Sequence, residues 1–142
     1  KNSTLNKILL SEAGVAALIL RVPVGLILAA HGAQKLFGWF GGNGLAGTAG
    51  WLSSIGIEPG FLMAILAGSA EFFGGLALVL GLLTRLAALV TAFTMLVAIF
   101  SVHISNGLFV ADGGYEYALI LMVALIALAV QGGGYFSIDK VL

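Results

Sequence analysis

Four long apolar stretches alternate with short polar or glycine-rich segments along the chain. They cover residues 13–36, 61–83, 86–104 and 115–131. Each is close to the roughly 20 residues that a helix needs to cross a bilayer. Only Thr84 and Arg85 separate the second stretch from the third, so those two helices must be antiparallel neighbours. The pattern predicts an all-α protein, an integral membrane four-helix bundle.

The longest connection, residues 37–60, is rich in glycine and carries Trp39 and Trp51. Tryptophan is enriched at membrane–water interfaces, and glycine permits backbone conformations that other residues resist. A short interfacial helix is predicted over residues 48–55. We interpret this outer loop either as a lid over the mouth of the bundle or as an anchored connector.

The composition agrees with a membrane protein and narrows the classes of function. Hydrophobic residues make up 61% of the 142 residues and charged residues 8%, with a mean hydropathy of +1.15. Soluble domains carry about 25% charge. The length suits a single transmembrane domain over residues 1–142 in contact with lipid. With zero net charge and no basic run, no nucleic acid partner is expected.

The chain contains no cysteine. This excludes thiol redox relays, cysteine-ligated iron–sulfur clusters and thiolate zinc sites. We therefore expect no intrinsic cofactor, and any redox role must use a bound small molecule or a partner.

Ionisable side chains within the apolar stretches, or at their ends, are the strongest functional signal. A charged residue at the centre of a membrane helix costs about 2.5 to 3.5 kcal/mol, so such groups are rare and tend to be paired or functional. We expect opposite charges on neighbouring helices to offset this cost in one polar cluster. The substrate-binding candidates are Arg21, His31, Lys35, Glu71, His103 and Glu116.

Depth along the helices predicts which of these groups meet. With a rise of about 1.5 Å per residue, Arg21 and Glu71 come within reach of each other. Two interpretations follow: a structural ion pair, or a glutamate that accepts protons with a pKa set by burial and by Arg21.

An outer cluster is predicted nearer the surface. His31 and His103 reach similar depths on the first and third helices. Lys35 shares a helical face with His31, and a Lys35–Glu116 contact is expected. Asp112 lies on the adjoining loop.

Three chemistries suit this outer cluster. The favoured one is a quinone whose carbonyl oxygens accept hydrogen bonds from histidine and lysine while its tail stays in lipid. Two histidines could instead ligate a b-type haem, although haem needs a large cavity in so small a bundle. A metal on His31, His103 and Glu116 has suitable ligand types but no compact motif, so no metal site is predicted.

A series of short segments also carries a family resemblance. It begins with Arg21 and the sequence VPVG, continues with HGAQKLFGW at residues 31–39, and includes AEFFGG at residues 70–75. Further positions follow in order at Gly81, Thr84, Arg85, Gly113, Gly114, Glu116, Gly132, Gly134, Ser137 and Asp139. Together these segments resemble the DoxX family of small four-helix membrane proteins found mainly in bacteria.

The resemblance implies a bundle in the bacterial cytoplasmic (inner) membrane and a link to quinone-linked redox. Members of the family are associated with a thiosulfate:quinone oxidoreductase, with oxidative-stress complexes, and with resistance to catechols and quinones. Matching the family pattern position by position singles out Arg21, His31, Lys35, Glu71, Arg85 and Glu116. This set is nearly the one chosen from the energetic cost of placing charge in a membrane. It lacks His103, whose selection depends mainly on its depth along the third helix.

We therefore expect a protein that binds a quinone or related small redox substrate within a membrane oxidoreductase system, with its own catalytic role left open. The alternatives are a non-catalytic scaffold for redox enzymes and a small proton-coupled transporter, built as a homo-oligomer, in which Glu71 couples to protons. In a four-span topology Lys1, Lys7, Arg85 and Lys140 fall on one side, which predicts a multi-pass protein with both termini in the cytoplasm.

Overall fold

The structure is a computed structural model that describes residues 13–141. The α-helices are α1 (Ala13–Phe37), α2 (Gly44–Ser54), α3 (Gly60–Leu80), α4 (Thr84–Ala98) and α5 (Glu116–Gln131). Shorter 3-10 or π-helical turns cover Trp39–Gly41, Ile99–His103, Ile104–Asn106, Val110–Asp112 and Ile138–Val141. Within the described range there is no strand, and the predicted all-α class is confirmed.

Three helical stretches are long and apolar enough to cross a membrane: Gly14–Phe37, Gly60–Leu80 and Thr84–Asn106. The fourth, Glu116–Gln131, is apolar but shorter. Large apolar side chains such as Ile19, Phe93 and Val130 point outward and are 64%, 65% and 74% exposed. This outer surface suits lipid, as expected of an integral membrane bundle. Lys1 and Lys7, on which the predicted orientation partly rests, lie outside the described residues.

The hairpin between α3 and α4 begins and ends earlier than predicted. Gly81 adopts a left-handed conformation, with φ of 69°, and Leu82 N donates to Ala77 O at 2.9 Å, so α3 ends at Leu80 instead of residue 83. Helix α4 already begins at Thr84, where a carboxylate from the C-terminal segment binds its first amides. The turn is therefore residues 81–83 rather than Thr84 and Arg85.

Helices α1 and α3 pack together through glycine. A Cβ at Gly25 would lie 2.6 Å from Gly75 O, and one at Gly32 would overlap the backbone of Phe72. The absence of side chains lets the two backbones touch, as small residues do between membrane helices. Small residues make up most of the buried face of α3, which consists of Gly60, Ala64, Gly68, Glu71, Gly75 and Leu78.

The remaining helices complete the core and divide the bundle into two ends. Leu78 of α3 and Leu125 and Leu128 of α5 are fully buried in one shared hydrophobic core. Helix α2 packs on α3 and α1, and it includes most of the short helix predicted over residues 48–55. We call the end with connections 38–59 and 99–115 the loop end. The hairpin end carries the turn 81–83 and the C-terminal segment 132–141.

Candidate functional site

Helices α1 and α3 each bring one charged side chain to the loop end. Lys35 Nζ donates a hydrogen bond to Glu71 Oε1 at 2.7 Å, the one ion pair within residues 13–141. The Glu71 side chain is 6% exposed, whereas that of Lys35 is 29% exposed. A small molecule can therefore reach the ion pair only from the Lys35 side.

The glycine contact between α1 and α3 sets this geometry. A Cβ at Gly68 would lie 2.8 Å from the Leu36 side chain and 3.3 Å from Lys35 Cβ. The missing side chain at position 68 leaves room for Lys35 to lie along α3. Glu71 follows three residues later on the same helical face, within reach of the ammonium group.

Residues of the long loop fold over Lys35 and border an open cavity of about 370 Å³, which we call the Lys35 cavity. Gln34 Nε2 donates to Phe40 O at 3.2 Å, and Thr48 is buried against the end of α1. A Cβ at Gly42 would lie 2.5 Å from Gln34 Cα, so the loop backbone contacts α1 directly. The cavity is lined by Gln34, Lys35, Gly41, Gly42, Asn43, Thr48 and Trp51.

The two histidines have local backbone partners instead of joining this cavity. His31 Nδ1 lies 2.9 Å from Ile27 O, and its ring faces Tyr117 on α5 with centroids 6.1 Å apart. His103 Nδ1 lies 2.7 Å from Gly113 O. Because a carbonyl oxygen only accepts, each Nδ1 carries the proton in these bonds. In the part of the chain described, no group of three or more His, Cys, Asp or Glu side chains could hold a metal ion.

Glu116 has a different partner from the one predicted. Its Oε2 accepts a hydrogen bond from Val110 N at 2.8 Å and so holds the 104–115 connection at the start of α5. The predicted Lys35–Glu116 contact is wrong, because Lys35 is paired with Glu71. The outer cluster of four side chains is therefore not drawn together by hydrogen bonds or ion pairs among the described residues.

Arg21 binds backbone carbonyls at the hairpin end. It is 0% exposed, and its Nη1 donates to Leu78 O at 3.1 Å and Val79 O at 2.9 Å. Its Nη2 donates to Tyr135 O and Phe136 O, both at 2.9 Å. The last carbonyls of a helix lack intrahelical partners. The guanidinium therefore closes the end of α3 and ties the C-terminal segment to it.

The predicted Arg21–Glu71 ion pair is also wrong. The side chains were expected to meet because their depths along the helices were similar. Depth leaves the direction of a side chain around the helix axis undetermined, and Arg21 is directed to the hairpin end while Glu71 pairs with Lys35. Arg21 thus has a structural role, as the first of the two interpretations held, but through backbone carbonyls instead of Glu71.

Asp139 complements Arg21 and was absent from the candidate set. Its Oδ1 accepts from Leu83 N at 2.6 Å and its Oδ2 from Thr84 N at 2.8 Å, so it caps the N-terminus of α4. Burial by itself raises the pKa of Asp139. Hydrogen bonds from Thr84 and Leu83 and the nearby charge of Arg21 outweigh that effect and hold the pKa below its ordinary value of 3.8. Because Asp139 lies 55 positions after Thr84, the local sequence around the start of α4 gave no signal for this cap.

Comparison with known proteins agrees with this architecture. The family model for DoxX matches residues 16–104, which include Arg21, Lys35 and Glu71. The chain belongs to the DoxX family. It is 34% identical over 135 residues to the inner membrane protein YqjF of Escherichia coli (strain K12), covering 94% of this chain and 95% of that protein.

A second DoxX-like relative bears a functional name. The chain is 30% identical over 125 residues to "Putative oxidoreductase CatD" of Bacillus subtilis (strain 168), covering 88% of this chain and 85% of the relative. No solved structure matches the chain significantly. The family, the inner-membrane relative and the three long apolar helices agree on a membrane protein.

Proposed function

We propose that this DoxX protein binds a quinone, or a related small redox substrate, in the Lys35 cavity as part of a membrane oxidoreductase system. The observation that carries the proposal is the Lys35–Glu71 ion pair, which is buried on the Glu71 side and open to the cavity on the Lys35 side. The name of the relative CatD adds support from outside this chain.

The residues of the cavity suit the chemistry of a quinone ring. The Lys35 ammonium donates to a ring carbonyl and stabilises the negative charge that develops there as electrons arrive. The Lys35 ammonium gives a proton to the reduced oxygen and regains one from water at the open side of the cavity, while the Glu71 carboxylate holds it in place. The electrons come from the partner oxidoreductase, because the chain has no cysteine to carry them.

Two neutral side chains complete the proposed site. The Trp51 indole offers a face on which a planar ring can stack. Gln34 lines the cavity, and the second N–H of its amide, beyond the one donated to Phe40 O, would donate to the second ring carbonyl. The other candidates, Arg21, His31, His103 and Glu116, do not line this cavity and have no direct role in the proposal.

The proposal keeps the predicted location in the bacterial inner membrane with both termini in the cytoplasm. In that orientation the Lys35 cavity opens near the outer surface, at the level of the interface. A quinone reaches this level by moving its head group toward the surface while its tail stays among the lipid chains.

Tryptophan fluorescence tests the proposal in purified, detergent-solubilised protein. In a Trp39→Phe background Trp51 is the only tryptophan, and a short-chain ubiquinone or menaquinone analogue is expected to quench it saturably. Lys35→Met removes a charged donor and should raise the Kd at least about tenfold. Arg85→Met, at the opposite end, is the matched control and should leave the Kd unchanged.

The opposite results would reject the proposal. Quenching that never saturates, or that is equal in the Lys35→Met variant, means that the quinone only partitions into detergent around Trp51. In that case, proton-driven flux in proteoliposomes that is lost in Glu71→Gln would favour a transporter. Capture of redox enzymes that survives neutralisation of Lys35 and Glu71 would favour a scaffold.

A further inference from the structure

The hairpin end contains a second cavity that the proposed function does not use. It measures about 660 Å³ and opens to the surface between the start of α4 and the C-terminal segment. Its lining includes the glycine turn 132–134, the cations Arg85 and Lys140, and the apolar residues Leu83 and Leu86. We call it the hairpin cavity.

The two cations of the hairpin cavity have no carboxylate partner within residues 13–141. Among the described residues, the one carboxylate lining the cavity is Asp139, which already accepts two backbone hydrogen bonds and faces the buried charge of Arg21. Within that range no carboxylate pairs with Arg85 or Lys140. An anion would be attracted to this cavity.

Neighbouring residues place both cationic groups at the cavity. A Cβ at Gly132 would lie 3.2 Å from Arg85 Nε, so the guanidinium rests against a backbone position without a side chain. Lys140 Nζ lies over the Tyr135 ring, 4.4 Å from its centroid. Such a cation–π contact restrains the lysine while leaving its protons able to bind an anion.

The same cavity also presents apolar surface beside its cations. Leu83 and Leu86 are 58% and 57% exposed, and they line the cavity beside Arg85. Both lie at the hairpin end of helices that are long and apolar enough to cross a membrane, so in a bilayer they would adjoin the boundary between phosphates and acyl chains. A free phosphate ion makes no favourable contact with exposed leucine side chains. A phospholipid carries both a phosphate and acyl chains, so it can contact the cations and the leucines together.

We propose that the hairpin cavity binds an anionic phospholipid, with its phosphate between Arg85 and Lys140 and its acyl chains on Leu83 and Leu86. Basic pockets between membrane helices are suited to such head groups. Bound lipid would hold the C-terminal segment against the hairpin. This inference is independent of the quinone proposal, since it concerns the opposite end of the bundle.

Thermal unfolding of the full chain in neutral detergent tests this site with phosphatidylglycerol as the probe. Phosphatidylglycerol is expected to raise the Tm more than phosphatidylcholine, and inorganic phosphate should have little effect. The Arg85→Met/Lys140→Met variant should lose about thirtyfold in affinity for phosphatidylglycerol, measured by native mass spectrometry. The single variant Arg85→Lys keeps both positive charges and should retain most of the wild-type affinity for phosphatidylglycerol.

Lys35→Met is the matched control, since it removes a cation at the loop end and should leave lipid affinity unchanged. Equal shifts with phosphatidylglycerol and phosphatidylcholine would overturn the proposal, as would lipid binding that persists without Arg85 and Lys140. An equal shift with inorganic phosphate would replace the lipid by a free anion. In the quinone assay Lys35→Met is the test variant and a change at Arg85 is the control, whereas here the roles are reversed. Either proposal can therefore fail without the other.

Discussion

The two ends of the bundle hold their buried charges in different ways. At the hairpin end Arg21 is bound by four backbone carbonyls and Asp139 by two backbone amides. At the loop end Lys35 and Glu71 bind each other beside an open cavity. A charge held by the backbone has no freedom to change partner. A charge held by another side chain can share its hydrogen bonds with a ligand.

The largest expected effect comes from removing the backbone-bound charge. Arg21→Met should lower the free energy of unfolding by about 4 kcal/mol, because it leaves four carbonyls at the hairpin end without their charged donor. Chemical unfolding in detergent measures this. Arg21→Lys keeps the charge but loses the forked geometry, so it should recover only part of the loss.

A loss below about 1 kcal/mol for Arg21→Met would be no larger than that of an ordinary substitution. It would contradict the claim that the backbone carbonyls fix Arg21 firmly. The two ends would then no longer differ in how firmly their charges are fixed.

A smaller effect is expected from breaking the side-chain pair. Lys35→Met should lower the free energy of unfolding by about 3 kcal/mol, because Glu71 stays buried without a partner. The Lys35→Met/Glu71→Met double variant should recover much of this loss, since two apolar side chains can replace a buried ion pair. A double-mutant cycle in the unfolding assay measures the coupling. Additive losses from the two single changes would mean that the pair contributes nothing as a pair.

The smallest effect concerns the cap of α4. Asp139→Asn should cost about 1 kcal/mol near neutral pH, because the amide offers one acceptor oxygen where the carboxylate offers two. The pKa of Asp139 is lower in the folded chain than its ordinary 3.8. Its contribution is therefore complete above that ordinary value and is lost as the pH falls through the folded one.

Measuring the unfolding of the wild type and of Asp139→Asn from neutral pH to below the ordinary pKa of Asp139 checks the direction of this pH dependence. The difference in stability between the two proteins should shrink as the pH is lowered. A difference that stays constant or grows on acidification would show that the Asp139 charge does not stabilise the hairpin end.

Most of the fold was predictable from the sequence because hydropathy reports directly on membrane helices. The stretches at 13–36 and 115–131 differ from α1 and α5 by one residue at an end. The last residue of α3 and the first residue of α4 were harder to place. They depend on the backbone conformation of Gly81 and on Asp139, which is distant in sequence.

The site was only partly predictable. The cost of buried charge drew attention to Arg21, Lys35 and Glu71, but the pairing inferred from depth was wrong. Depth along a helix gives one coordinate, whereas contact also needs the direction around the axis. The carbonyls that bind Arg21 belong to backbone, and backbone partners leave no trace in residue types.

Asn43 and Thr48 line the Lys35 cavity without having been singled out. Both lie in a glycine-rich loop whose path over α1 follows from backbone contacts, such as that of Gly42 with Gln34. A loop that closes in this way shows no periodicity in its sequence. Only the three-dimensional structure places its polar groups beside Lys35.

Photolabelling with an azido-quinone tests most directly whether the charge at the loop end is the one that serves a ligand. After illumination of the protein in lipid, mass spectrometry locates the covalent adducts. Quinone binding in the Lys35 cavity predicts adducts on residues 34–51, suppressed by excess unlabelled quinone and by Lys35→Met. Adducts concentrated on the hairpin end, or spread evenly over the lipid-facing helices and insensitive to competition, would contradict it.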